Sequence, residues 1–212
     1  TALEKATREQ SKAKEALDIY GFGSTGSAPT TGVSELHNKL SETIATLHKR
    51  ESAVLFNSGY AANLGIIASL VGDQDLIVAD QLSHASIQDA MKLSRAHCRF
   101  FKHNSPAHLE RVLKKERGKY KGCLVITEGV FSMDGDVPPL DQIYEVARKY
   151  QCRIMLDQAH CFGVVGPKGL GAADKYNLLR KIDIIMGTFS KIGGGIGGFA
   201  VGDQEVIDWI TH

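Results

Sequence analysis

The sequence predicts an α/β chain built on a mostly parallel seven-stranded sheet with helices on both faces. Three observations predict it. Short apolar runs recur along the chain, each followed by a polar turn and an amphipathic stretch, the pattern of repeated βαβ units. Most of these runs lack polar alternation, as strands covered on both faces require. The stretches between them repeat apolar residues every three or four positions, which is the helical period. With 212 residues, 43% of them hydrophobic, the chain can bury a large core.

The elements follow in order. The opening TALEKATREQSKAKEAL does not begin with methionine and lacks the apolar centre of a signal peptide. Gly21 to Gly32 is a loop by its Gly, Ser, Thr and Pro content. An N-terminal helix and glycine-rich loop over 1–32 are thus expected before a large domain over 33–212. Val33, Leu36, Leu40, Ile44 and Leu47 mark a helix. The expected strands are AVLF (53–56), LIVA (76–79), CRFF (98–101), CLVIT (123–127), RIML (153–156), DIIM (183–186) and GGFAV (197–201). AHLERVLKKE and LDQIYEVARKY read as helices between them, and Gly163 to Gly171 as a second loop.

Composition excludes several function classes. Lysine and arginine number 25 against 24 acids, a net charge of +1, so nothing electrostatic favours nucleic acid or anionic lipid as a partner. No apolar run is long enough to form a transmembrane segment. The four cysteines, Cys98, Cys123, Cys152 and Cys161, are too widely spaced for a CxxC knuckle and too few to staple a chain of this size. They are expected as reduced, mostly buried thiols, which points to the cytoplasm or an organelle matrix.

In an open parallel sheet, ligands gather outside the carboxyl ends of the strands. The expected ends carry Asn57, Ser58, Gly59 and Tyr60; Asp80 and His84; Glu128 and Ser132; Asp157 and His160; Thr188 and Lys191. Each alone has a plain reading: Ser58 and His84 as helix caps, Asp157 as a turn former. Jointly they match the needs of pyridoxal phosphate (PLP): a lysine for a Schiff base, a carboxylate on the ring nitrogen, a flat group against the ring, donors to the phenolic oxygen and a phosphate cradle. Lys191 is the candidate lysine, its amine activated where desolvation acts on it, with the glycines of KIGGGIGG making room for the ring. Asp157 is the candidate ring-nitrogen partner and His84 the stacking group. Ser132 and His160 would serve the phenolic oxygen. The N–H groups of Gly59 and Tyr60 at a helix N-terminus suit a phosphate, with Thr188 adding a hydroxyl.

Rival motifs are weaker. GFGSTG (21–26) and GGGIGG (193–198) satisfy G-x-G-x-x-G, yet the first follows a helical pattern and the second enters a strand, the wrong context for a dinucleotide fingerprint. No third ligand accompanies Asp157 and His160 at metal-site spacing, so no metal is expected. His48, His97, His103, His108 and His212 are expected at solvated or loop positions, and His37 in packing or an interface.

YGFGSTGS, LFNSGYAANLGII, DQLSHASIQDA, TEGVFSMDGDVPPL, DQAHCFGVVGPKGLG and GTFSKIGGGIGGF together resemble the α-oxoamine synthase family of fold-type I PLP enzymes. The resemblance implies the PLP-transferase large-domain fold and a homodimer. It implies condensation of an amino acid with an acyl-CoA, losing carbon dioxide and CoA to give an α-amino ketone. By motif, Lys191, His84 and Asp157 take the catalytic positions; Ser58, Gly59, Tyr60, Ser132, His160 and Thr188 complete the cofactor site. SGYAAN, DQLSHAS and TEGVFSMDGD lean toward 8-amino-7-oxononanoate synthase of biotin synthesis, while GTFSK with GGIGGF leans toward serine palmitoyltransferase of sphingolipid synthesis. Another fold-type I lyase or aminotransferase, or a non-catalytic partner subunit, are the alternatives. Gln158 replaces an acid frequent in the family, and GSAPTTG lacks an arginine that several members place there. Complete members continue into a small C-terminal domain, so the resemblance implies that this chain is an N-terminal portion.

Overall fold

The computed structural model describes residues 2–28 and 30–212, with side chains from Thr7 onward; Thr1 and Pro29, the latter inside the expected loop Gly21 to Gly32, lie outside the described residues. The chain divides into two compact units, Thr1–Leu40 and Ser41–His212. In the first, helix α1 (Ala2–Tyr20) ends where the Gly21 N–H donates to the Leu17 carbonyl at 2.9 Å. The loop after it closes a turn through Thr30 N–H and Gly32 N–H on the Ser27 carbonyl. GFGSTG therefore lies in a loop after a helix, as its sequence context implied. Helix α2 (Glu35–His48) follows.

The second unit holds the sheet. Its strands are β1 (Ser52–Phe56), β2 (Leu76–Asp80), β3 (His97–Phe101), β4 (Cys123–Glu128), β5 (Arg153–Asp157), β6 (Ile184–Thr188) and β7 (Gly198–Gly202), in the spatial order β1-β7-β6-β5-β4-β2-β3. Neighbours from β6 through β3 pair in parallel, and β7 alone runs opposite to both of its neighbours. All seven expected strands are present. The helices between them are α3 (Gly59–Leu70), α4 (Ala85–Leu93), α5 (Pro106–Glu116), α6 (Leu140–Lys149), the short α7 (Ala172–Lys175) and α8 (Gln204–Thr211).

The period-2 alternation of the strands divides the core into two layers. Val125, Ile154 and Leu156 face one layer with Leu109 and Leu113 of α5 and Leu140 and Ile143 of α6. Leu124, Ile126 and Met155 face the other with Ile66 and Ile67 of α3 and Ile87 of α4. Both faces are thus covered, which is why β2, β4, β5 and β6 read as unbroken apolar runs. Cys123, Cys152 and Cys161 are buried free thiols and Cys98 is half-buried and free. Among the described residues no helix is long and apolar enough to cross a membrane.

The chain leaves β2 for β3 on one side, then returns for β4 on the other side of β2. That reversal opens a crevice at the carboxyl ends of β2 and β4. Asp80, Glu128, Asp157 and Thr188 end β2, β4, β5 and β6, so four buried polar residues line one edge.

Candidate active site

The edge is assembled by register. Phe56 pairs with Gly198, which also pairs with Thr188, so the turn leaving β1 arrives beside the end of β6. Contact is close enough that a Cβ on Gly59 would lie 3.1 Å from the Thr188 Cβ, and one on Gly198 would lie 2.6 Å from the Ser58 carbonyl oxygen. Ser58 caps α3, its hydroxyl accepting the Ala61 N–H at 3.0 Å. The N–H groups of Gly59 and Tyr60 precede the first intrahelical bond and point out of the helix start, a ready anion cradle. The Tyr60 hydroxyl donates to Asp89 on α4, and its ring meets His84 edge-on with centroids 6.5 Å apart.

Thr188 is buried, and its hydroxyl is held by the Gly197 carbonyl at 2.8 Å and by Ser190 Oγ at 2.8 Å. Its proton is committed within the chain. Ser190, which sequence reasoning did not single out, donates its own hydroxyl to Thr188 Oγ1, since the single Thr188 proton goes to Gly197.

Asp157 is buried at the end of β5; its Oδ1 accepts the Ala159 N–H and its Oδ2 accepts from Asn63 Nδ2, each at 2.9 Å. Asn63 comes from α3 and is buried. Its amide also donates to Ser86 Oγ at 2.9 Å, and Ser86 Oγ meets His84 Nδ1 at 2.7 Å. The Ser86 backbone N–H approaches the same nitrogen at 3.2 Å, so Nδ1 is the accepting nitrogen. A directed chain therefore runs from Asn63 to Asp157 on one side and through Ser86 to His84 on the other. His84 caps α4, is exposed, and donates its backbone N–H to Glu128 Oε1 at 2.6 Å.

Glu128 and Asp157 are register partners on adjacent strands. Burial, and then the Asp157 charge, push the Glu128 carboxyl up to about 8. Among the described residues neither carboxyl is ion-paired, and Asn63 Oδ1 is buried without a partner. Two buried carboxyls beside an unpartnered acceptor form an electronegative pocket that suits a protonated ring nitrogen. The donor set thus fits PLP.

His160 is half-buried. Burial lowers its pKa, the Lys191 charge lowers it further, Asp157 opposes them, and His84 adds a smaller lowering. Lys191, Asp157 and His84 therefore all bear on one imidazole. Ser132 is brought to the same edge only as part of an exposed turn.

One expectation is not met by this chain alone. Lys191 and residues 192–196 are exposed, so this chain alone does not desolvate the amine. The glycines that follow serve the backbone: a Cβ on Gly193 would lie 2.8 Å from the Phe189 carbonyl oxygen, and Gly194 and Gly197 take positive φ. They bend the chain back into β7.

One histidine departs from expectation: His48 is fully buried, stacked on Phe162 with centroids 5.4 Å apart. His103 lies in the turn after β3, as expected, and there bridges two carboxylates. Gln158 replaces the frequent acid at no visible cost, because its amide joins the Leu170 carbonyl and the Ala173 N–H, each at 2.9 Å.

Residues 3–212 match the model of the aminotransferase class I and II family. The chain is 42% identical over 205 residues to an 8-amino-7-oxononanoate synthase of Treponema denticola, covering 97% of this chain and 52% of that protein. An 8-amino-7-oxononanoate synthase of Coprothermobacter proteolyticus is 44% identical with the same coverage. Serine palmitoyltransferase from S. paucimobilis, solved with a bound PLP–myriocin adduct, superposes with a TM-score of 0.89 at 36% identity, over 93% of this chain and 49% of that one. The 8-amino-7-oxononanoate synthase of Francisella tularensis superposes at 0.77 with 30% identity, over 92% of this chain and 54% of that one. The chain spans about half the length of the curated relatives it matches. It belongs to the aminotransferase class I and II family, where its relatives are α-oxoamine synthases.

Proposed function

We propose that this chain is the cofactor-binding portion of a PLP-dependent α-oxoamine synthase, which condenses a small amino acid with an acyl-CoA thioester and releases carbon dioxide and CoA. The observation that carries the reading is the buried Asp157 at the end of β5, tied through Asn63 and Ser86 to His84 on the strand-end edge where Lys191 follows β6. Lys191 Nζ would tether the cofactor and afterwards carry a proton to and from the substrate α-carbon. When bound, PLP supplies a positively charged ring that accepts the electron pair left at that carbon. Asp157 would hold the ring-nitrogen proton, because a buried carboxylate favours an adjacent positive charge. His84, fixed by Ser86, would stack on the ring face; Ser132 and His160 would donate to its phenolic oxygen. Gly59 and Tyr60 N–H groups would bind the phosphate, with the Ser58 hydroxyl capping that turn and Thr188 packed against it.

The names of the relatives favour alanine and a pimeloyl thioester, as in 8-amino-7-oxononanoate synthesis, over serine and a palmitoyl thioester. A homodimer working in the cytoplasm belongs to the same proposal. Retention of Lys191, Asp157 and His84 disfavours a non-catalytic partner subunit. The test is the full-length protein mixed with PLP, then with alanine, serine or glycine and a panel of acyl-CoAs. A visible absorption band lost in Lys191→Ala, followed by free thiol release with one pair, supports the reading. A band without thiol release from any pair turns the assignment toward a lyase or aminotransferase, and no band in the intact protein overturns it.

A further inference from the structure

His103 follows β3 and belongs to none of the site motifs, yet both of its ring nitrogens meet carboxylates. Nδ1 lies 3.0 Å from Asp80 Oδ1 and Nε2 lies 2.8 Å from Asp136 Oδ2. Asp80 is fully buried at the end of β2 and also accepts the N–H groups of Leu82 and Asn104, each at 2.9 Å. It thereby fixes the turn that leads to His84. Asp136 closes the turn that carries Ser132: its carbonyl accepts the Phe131 N–H at 3.0 Å, and Gly135 N–H returns to the Phe131 carbonyl at 2.9 Å. The edge of the imidazole packs on Phe131, with centroids 4.5 Å apart at 89°. The Asn104 side chain reaches Asp136 as well.

We propose that His103 is a positioning residue: as a doubly protonated imidazolium it clamps the Ser132 turn to the end of β2. In this way it holds the two sides of the crevice, His84 and Ser132, in register for the cofactor. The inference rests on the PLP reading of the site. Its physical ground is donor arithmetic. Ionised carboxylates only accept, so two of them on one ring require a proton on each nitrogen. In the neutral form, Nε2 would accept from Asn104 Nδ2 at 3.2 Å and face Asp136 without a hydrogen. The charged groups facing the ring are Asp80 from β2 and Asp136 from the turn, and Glu128 at the adjacent strand end is near enough to feel Asp80. Partial burial lowers the His103 pKa, but hydrogen bonds and charge from Asp80 and Asp136 outweigh it and raise the balance. A raised pKa means that the clamp is complete at low pH and is lost as pH rises through the folded value.

The test uses full-length protein with ¹⁵N-labelled histidine, the His103 signals being assigned by their loss in His103→Gln. Both ring nitrogens should carry protons near neutral pH, with or without PLP. PLP affinity is then compared between wild type and Asp136→Asn from about pH 6 to about pH 9. Asparagine can accept from the charged ring and donate to the neutral one, so the variant keeps the contact in both states. Every pH effect common to both proteins, that of PLP itself included, cancels. Wild-type affinity should fall about tenfold relative to the variant across that range, the worth of one charge-assisted hydrogen bond. A singly protonated ring near neutrality, or parallel pH profiles, would overturn the proposal. If PLP binds to neither protein, the functional reading fails and the nitrogen signals alone still decide the clamp.

Discussion

Asn63 Nδ2 donates to Asp157 Oδ2 at 2.9 Å, joining the second turn of α3 to the end of β5 across 94 residues of sequence. The orientation of the amide is fixed by chemistry, since its oxygen would repel the carboxylate. Removing it deprives a buried carboxylate of one of its two donors and frees Ser86 from its tie to Asp157. Asn63→Ala should therefore weaken PLP binding about tenfold or more and cost about 1.5–3 kcal/mol of stability, the usual worth of a hydrogen bond to a charged group. Spectroscopic titration with PLP and urea unfolding check the two effects separately. Unchanged binding would remove Asn63 from the support of the site.

Glu128 makes a pH prediction. Its folded pKa, about 8, stands above the ordinary glutamate value of 4.5 because burial and then Asp157 disfavour its charge. A raised carboxyl pKa leaves stability whole below the unfolded value and drains it as pH rises through the folded one. The apoprotein should lose stability between about pH 5 and about pH 8 on this account, and Glu128→Gln should flatten that loss while changing little at low pH. Urea midpoints across the range measure it; a slope that persists in the variant would assign the loss elsewhere.

His48 should act with the opposite sign. Burial lowers its pKa, the Arg50 charge adds to the lowering, and a hydrogen bond to the Ile44 carbonyl at 2.9 Å opposes both. With Nδ1 on that carbonyl, Nε2 is buried without a partner between Phe162 and Phe199. A lowered histidine pKa gives stability present above about pH 6.5 and lost as pH falls toward the folded value. His48→Phe keeps an aromatic ring in the stack and takes up no proton. Its thermal midpoint should change less than that of wild type between about pH 7 and about pH 5.

The sheet was legible because burial on both faces leaves an unbroken apolar run in most strands, and the strand ends follow from those runs. Lys191, Asp157, His84 and Ser58 were legible for the same reason, each standing just after one. What sequence could not display is partnership at a distance. Asn63 sits in GYAANLGIIASL like any polar residue of an apolar helix, and only the fold brings it to Asp157. Glu128 was seen at a strand end but carried no role until burial, and then its register with Asp157, raised its pKa. His103 read as a loop residue with no role because Asp80 and Asp136 lie 23 and 33 residues away. The backbone role of Gly193 and Gly197 was hidden because spacing reports freedom of the backbone without saying what crowds it.

Gly198 tests that last point. It opens β7, and an added Cβ would fall 2.6 Å from the Ser58 carbonyl oxygen and 2.9 Å from the Gly59 nitrogen. Neither atom is the end of a flexible side chain, so the strand and the α3 turn must separate to admit a methyl group. Overpacking of this kind costs about 1–3 kcal/mol. It also moves the Gly59 N–H away from Thr188, and with it the expected phosphate cradle. Gly198→Ala should therefore lose affinity for PLP more than for pyridoxal, which lacks the phosphate, whereas Gly195→Ala should lose neither, its Cβ meeting nothing nearer than 4.0 Å. Equal losses of PLP and pyridoxal in Gly198→Ala would show that the turn braces the site as a whole and does not specifically bind the phosphate.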